Sequence, residues 1–177
     1  MLTLLRPPSA DELIDEAAFD DDEFLPYWAE LWPSGLGLAK VVGSLDVRGK
    51  RVLELGAGLG LPSLAAALGG ADVLATDWAD DAVTLLRANA ERNSIELRVE
   101  RARWDDPELL VDGAPWDIVL GADLLYESRN AEQLLDLVPR LGDDILLAEP
   151  GRPFAAAFFA HWRVETMADG VYRLRLP

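Results

Sequence analysis

Residues 51–61 read RVLELGAGLGL, a hydrophobic strand running into Gly56, Gly58 and Gly60. Glycines between a strand and a helix let the backbone approach a phosphate or a nucleoside. A dinucleotide fingerprint, G-x-G-x-x-G, would put its third glycine where this chain has Leu61. Glu54, two residues before the first glycine, repels a pyrophosphate and suits a cation. The stretch therefore reads as a strand, a ligand loop and a helix start, with a cationic ligand favoured over a dinucleotide.

Outward from this loop, strands and helices alternate. The strand at 51–57 leads into a helix through LPSLAAALG (61–69), and the strand DVLATDW (72–78) into the long helix ADDAVTLLRANAERN (79–93), with Asp80 and Asp81 at its N-terminus. LRVERARW (97–104) alternates as a strand should. DIVLGADLL (117–125) is the nearly continuous apolar run of a buried central strand, NAEQLLDLVPRL (130–141) is a helix and DDILLAEP (143–150) a strand. Upstream, Ser9 and Glu12 suit a capping box heading an acidic helical lead-in, whose run from Asp20 to Glu23 reads as a solvated face. An aromatic loop, YWAELW (27–32), precedes a helix from about Ser34 that Gly49 punctuates. At the other end, the apolar helix FAAAFFAHW (154–162) is followed by RVETMADGVYRLRL (163–176), where Asp169-Gly170 between two strand-like runs signals a hairpin.

The alternation predicts an α/β fold: a Rossmann-like, doubly wound, seven-stranded sheet, mostly parallel, with a C-terminal antiparallel hairpin. No repeat, low-complexity tract or linker divides it. One domain over 1–177 is expected, comprising an acidic lead-in and aromatic loop (1–33) and a Rossmann-like core (34–177).

Composition limits the partners. The 177 residues are 50% hydrophobic and 27% charged, as in ordinary globular domains. With no Cys and a single His, His161, neither disulfides nor the usual zinc sites can be built, and no metal is expected. MLTLL running into RPPS is too short for a signal peptide, and no apolar run approaches about 18 residues, so a soluble cytoplasmic protein is expected. The net charge of -16 opposes nucleic acid and anionic membranes and suits a basic substrate, although surplus acid also serves solubility. His161 reads as helix packing, Ser34 and Ser63 as N-caps, and Asp143 and Asp144 as turn residues.

The parallel sheet with its terminal hairpin, together with E-x-G-x-G-x-G after the first strand, resembles the class I (seven-β-strand) S-adenosylmethionine-dependent methyltransferases over nearly the whole chain. PYWAELWPSG, LELGAGLG and above all WDIVLGADLLYE resemble the subgroup of protein-lysine methyltransferases acting on chaperones and on the β subunit of electron transfer flavoprotein, which carries D-x-x-Y after its fourth strand. Here that motif is Asp123 to Tyr126. AEPGRPF (148–154) also looks like the segment after the fifth strand in the flavoprotein branch. The resemblance implies S-adenosylmethionine as cofactor, contacted by Trp32, Gly56, Ala57, Gly58, Asp77, Trp104 and Ala122. The strand-end positions add Glu54 for the cofactor's ammonium, Asp77 for both ribose hydroxyls, and Trp78, Trp104 and Asp105 for adenine, although an aromatic at a strand end such as Trp78 serves as often as core or rim, and a glycine turn can be a tight strand-helix connection with no ligand.

Asp123 and Tyr126 are the catalytic candidates. A free lysine, with a pKa of about 10.4, costs about 4.6 kcal/mol to deprotonate at pH 7. A carboxylate beside an ammonium raises that pKa, so Asp123 is expected to orient the amine and not to deprotonate it. Tyr126 is expected to line the channel and offer its ring to a cation. Capping a turn and packing a sheet edge are the plain structural alternatives for the two residues. The first functional expectation is transfer of a methyl group to a lysine nitrogen of a protein, by a monomer. The alternatives are a small-molecule N- or O-methyltransferase and a non-catalytic cofactor-binding module; the short stretches around 105–115 and 150–162 leave the acceptor open.

Overall fold

A computed structural model describes residues 2–7 and 26–177. The capping box at Ser9 and Glu12 and the run from Asp20 to Glu23 lie outside the described residues. Five parallel strands, β1 (Arg51–Leu55), β2 (Asp72–Asp77), β3 (Arg98–Arg101), β4 (Ile118–Ala122) and β5 (Ile145–Ala148), share one sheet with β6 (Arg163–Ala168) and β7 (Val171–Arg175). The order is β3-β2-β1-β4-β5-β7-β6, with β7 antiparallel to both β5 and β6. The expected seven-stranded sheet and its terminal hairpin are both present.

Helices α1 (Pro33–Ser44), α2 (Leu61–Leu68), α3 (Asp80–Arg92), α4 (Glu108–Asp112), α5 (Ser128–Leu137) and α6 (Ala155–Phe159) flank the sheet. Because side chains alternate across a strand, β1 serves two cores. Leu53 and Leu55 pack with Leu134, Leu137 and Phe158 from α5 and α6, while Val52 points the other way, into the cluster of Leu38, Val42 and Ala66 from α1 and α2. Full burial of each leucine stabilises the fold by about 1.5–3 kcal/mol relative to exposure. An all-apolar strand is what this two-sided burial requires, which is why β4 and β5 were legible as continuous apolar runs.

Several boundaries differ from expectation. The strand predicted at 117–125 ends at Ala122, because Asp123 turns into the left-handed region at φ 58°. Its N–H still donates to the Ala148 carbonyl at 2.8 Å, extending the β4–β5 ladder before the chain leaves the sheet. β3 is shorter than 97–104 and buries only Val99, as its edge position permits. α4 was not anticipated between Trp104 and Trp116, and α6 covers only part of 154–162.

Three side-chain readings are also corrected. His161 is exposed at the end of α6 and its Nδ1 lies 3.0 Å from the Ala157 carbonyl, so it is not packing. Ser34 and Ser63 lie inside the first turns of α1 and α2, whose N-caps are Trp32 and Gly60. Asp144 does more than make a turn, since both its oxygens pair with the Arg173 guanidinium on β7.

The N-terminal residues are held by an unusual pairing. Asn89 near the end of α3 and Asn93, the residue that caps it, each use a side-chain amide as a strand would use its backbone. Asn93 accepts from the Thr3 N–H (2.9 Å) and donates to the Thr3 carbonyl (2.8 Å); Asn89 accepts from the Leu5 N–H (2.6 Å) and donates to the Leu5 carbonyl (3.1 Å). The Asn89 amide also donates to the carbonyl of Leu59, in the glycine loop, at 3.2 Å.

Candidate functional site

Strand order reverses between β1 and β4, and in open α/β sheets the crevice outside the strand ends at such a point is where ligands bind. A cleft of about 330 Å³ opens there, walled by the glycine loop, the ends of β2 and β4, and the aromatic segment from Tyr27 to Trp32.

The glycine loop is built on left-handed backbone at Gly56 (φ 58°), Gly58 (φ 52°) and Gly60 (φ 76°). Gly60 caps α2, and a Cβ there would lie 1.8 Å from Leu86 of α3. The close packing that a third fingerprint glycine provides is thus achieved one residue early, and Leu61 begins the helix. A Cβ on Gly58 would come within 3.1 Å of the Trp28 carbonyl, so the aromatic segment rests directly on the loop. One on Gly56 would meet Leu124 at 2.8 Å. Ala57 is fixed between them by its N–H to the Thr76 carbonyl, 2.9 Å.

Two carboxylates underlie the loop. Glu54, 1% exposed, accepts from both the backbone N–H (2.9 Å) and the hydroxyl of Ser63, each on Oε2. Burial pushes its carboxyl up to about 8, against the opposing pull of the Ser63 bonds. Asp77, 4% exposed, is also raised by burial; its Oδ2 accepts from Gly58 N–H (2.9 Å) and its Oδ1 from Ala79 N–H (3.1 Å). Asp77 therefore ties the end of β2 to the glycine loop, a role the sequence did not reveal.

Trp78 and Trp104 are half-buried and line both the cleft and a side compartment of about 150 Å³, into which Tyr126 and Asn130 also face. Asp105 borders only the side compartment. It is exposed and paired with Arg103 (2.9 and 2.8 Å), whose hydrogen bonds hold its carboxyl below the usual range.

Ala122, Asp123 and Tyr126 reach the cleft from the end of β4. Tyr126 packs against Tyr27 with ring centroids 5.3 Å apart, and Tyr27 against Trp32 at 6.2 Å. The Trp32 indole N–H donates to the Tyr27 carbonyl at 2.8 Å, closing an aromatic wall. Burial raises the Tyr126 phenol and keeps it neutral; Asn130 hydrogen-bonds it and donates to the Leu124 carbonyl at 3.2 Å, bracing the loop.

Asp123 is not alone. Arg152 grips both of its oxygens, Nε to Oδ1 at 2.7 Å and Nη2 to Oδ2 at 3.0 Å, and lies 5.9 Å from the Trp32 ring centroid. Glu149 Oε1 accepts from the N–H groups of Gly151 and Arg152 and shapes the turn that presents the guanidinium. Sequence reasoning passed over Arg152 and Glu149. The available signal was AEPGR, which leaves β5 beside β4, the strand that ends just before Asp123.

Residues 26–148 match the model of a family described as lysine methyltransferase. The chain is 36% identical over 147 residues to the electron transfer flavoprotein beta subunit lysine methyltransferase of Xenopus laevis, covering 77% of this chain and 56% of that protein. It is 33% identical over 148 residues to the histone-arginine methyltransferase METTL23 of the same species, covering 80% and 62%. It thus spans little more than half the length of these curated relatives. The fold is shared with the Thermus thermophilus 16S rRNA N2 G1207 methyltransferase RsmC, solved with AdoMet and guanosine: TM-score 0.66, 21% identity, 84% of this chain and 44% of that one. With the family model covering the glycine loop, the β2 acid and the D-x-x-Y segment together, the chain belongs to the lysine methyltransferase family.

Proposed function

We propose that the chain transfers the methyl group of S-adenosylmethionine to a lysine side-chain nitrogen of a protein. The observation that carries this reading is that the glycine-loop cleft and the Asp123–Tyr126 motif share one wall, so a ligand on the loop and an amine at Asp123 would meet. The residues fit the cofactor. Glu54 Oε1, which neither Ser63 donor engages, suits its ammonium, and Asp77 retains lone pairs for two ribose hydroxyls. Trp78 and Trp104 flank a compartment of a size for adenine, with Asp105 at its rim and Trp32, Gly56, Ala57, Gly58 and Ala122 completing the wall.

When bound, the cofactor supplies an electrophilic methyl on a sulfonium, which is displaced in line. The chain's own residues do the positioning, which accounts for most of the acceleration in such a reaction. Asp123 accepts an N–H of the acceptor and aims its lone pair at the methyl carbon. The lysine ammonium would first give a proton to water; the neutral amine would then form the N–C bond as the C–S bond breaks with its electrons on sulfur, leaving a methylammonium. Tyr126, Tyr27 and Trp32 form the apolar sleeve for the lysine stem, and no step calls for a metal.

The reading takes residues 1–177 as one methyltransferase domain acting in the cytoplasm as a monomer on a protein with an accessible lysine, without nucleic acid or membrane. Among the described residues no helix is long and apolar enough to cross a membrane. Incubating the protein and methyl-labelled cofactor with a host extract tests the reading. Label on lysines of a protein is the expected result; label on arginines, or confined to small molecules, would replace the acceptor, and no transfer at all would refute the activity.

A further inference from the structure

Among the described residues lining the cleft, five are acids (Glu30, Glu54, Asp77, Asp123 and Glu127) and one, Arg152, is a base. Even with Glu54 holding its proton to about pH 8, this surplus of acids draws a lysine ammonium in but also opposes its deprotonation. An isolated carboxylate within about 4–6 Å raises an amine's pKa by about 1–3 units, moving it further from the neutral form that attacks.

Most of these acids are already committed. Glu54 is held by Ser63, Asp77 by Gly58 and Ala79, and Glu127 by Arg129 at 2.5 Å, while Glu30 lies exposed at the rim. Tyr27 and Tyr126 face the same space. The acid nearest the proposed amine position is Asp123, and Arg152 covers it in a bidentate pair, with the Asp123 side chain 7% exposed and that of Arg152 36% exposed. Trp32 lies against the guanidinium, Glu149 accepts from the Arg152 backbone N–H, and the Glu149 and Tyr27 side chains lie within the field of the guanidinium.

We infer that Arg152 is a positioning residue for the acceptor: by gripping both oxygens of Asp123 it cancels that carboxylate's charge while leaving lone pairs free, so the amine is oriented without being stabilised as an ammonium. A carboxylate offers about four lone-pair sites, of which the guanidinium takes two. The remaining two can accept an N–H from a neutral amine, and the fixed cation lowers the amine's pKa where a bare carboxylate would raise it. This deepens the proposed transfer to nitrogen and rests on it.

The test compares the parent chain, Arg152→Gln and the double variant Asp123→Asn with Arg152→Gln. Each is incubated with methyl-labelled S-adenosylmethionine and a dialysed protein extract from about pH 6.5 to about pH 10. Calorimetric cofactor affinity shows that each variant is folded with its cleft intact, while thermal melting is expected to fall in Arg152→Gln, which leaves the Asp123 carboxylate unpaired, and to fall less in the double variant. Arg152→Gln exposes the Asp123 charge, so labelling should fall about tenfold or more at pH 7, recover towards pH 10, and show a midpoint about one unit higher. The double variant removes both charges, so its midpoint should return towards the parental one even though its rate is lower. It also avoids a buried unpaired carboxylate, and so remains informative if the single variant unfolds. A parental midpoint in Arg152→Gln, a loss that no increase in pH restores, or a double variant whose midpoint stays high would overturn the inference alone. Absence of label with the parent chain would overturn the methyl-transfer reading and this inference together.

Discussion

Asp77 holds the Gly58 and Ala79 N–H groups besides its proposed contact with a ribose, so Asp77→Ala would loosen the loop along with removing that contact. Asp77→Asn is the cleaner probe. It preserves the side-chain shape and one of the two backbone hydrogen bonds while losing the charge and the other, and hydrogen bonds to charged groups contribute about 1.5–3 kcal/mol. Cofactor affinity in calorimetry should therefore fall by about tenfold or more; undiminished affinity would remove Asp77 from the ribose site. Asp123→Ala is expected to act differently, reducing turnover far more than cofactor affinity, because in the proposed transfer its carboxylate holds the acceptor amine and not the cofactor. Equal losses in both, measured by single-turnover labelling and calorimetry, would reassign it to cofactor binding. Glu54 should make the site sensitive to pH. Its carboxyl holds its proton to about pH 8 in the fold, against 4.5 as its ordinary value. An incoming ammonium prefers the carboxylate, so cofactor affinity is expected to rise between about pH 6 and about pH 8, with release of a proton. Glu54→Gln should flatten that rise.

The glycine loop is the element on which sequence reading worked best, and it shows where such reading stops. That a strand, three glycines and a helix would follow one another was visible because left-handed backbone favours glycine. That Gly60 is fitted to Leu86 was not, since the contact joins two helices through the fold. Gly60→Ala combines φ strain with a collision and is expected to cost about 2–4 kcal/mol in urea unfolding; pairing it with Leu86→Ala should recover the collision part only. Parental stability in Gly60→Ala would mean that the α2–α3 approach is looser than described. The same division recurs at β4. Its apolar run marked a central strand, but its end is set by one residue, Asp123, whose partner is Arg152 on the next strand's exit. Nothing in residues so far apart in sequence announces an ion pair, whereas adjacency of β4 and β5 makes it possible. β3 and α6 were drawn too long for a related reason: pattern persists along a chain after the neighbouring element that would pair or cover it has ended.

At the scale of the whole molecule, charge and burial act together. The net charge of -16 produces a long-range field that accelerates encounter with a basic partner, so labelling of protein acceptors should weaken as salt rises, whereas transfer to a neutral small molecule should not. Folding stability should carry the signature of Glu54. Between about pH 4.5 and about pH 8 the native state keeps a proton that the unfolded chain has released, so stability is greatest at the acid side of this window and declines as pH rises through it. Denaturant midpoints measured across the window, in the parent and in Glu54→Gln, would reveal the difference as a flatter dependence in the variant.

The pairing of Thr3 and Leu5 with Asn93 and Asn89 has a consequence at this same scale. Asn89 also holds the Leu59 carbonyl, so the chain's first residues and the ligand loop share one amide. Whatever steadies the loop must, by thermodynamic reciprocity, steady the N-terminal strap. Saturating cofactor should therefore slow amide hydrogen exchange at Thr3 and Leu5, some distance from the ligand itself, and Asn89→Ala should abolish that protection and leave the exchange rates of β4 and β5 unchanged.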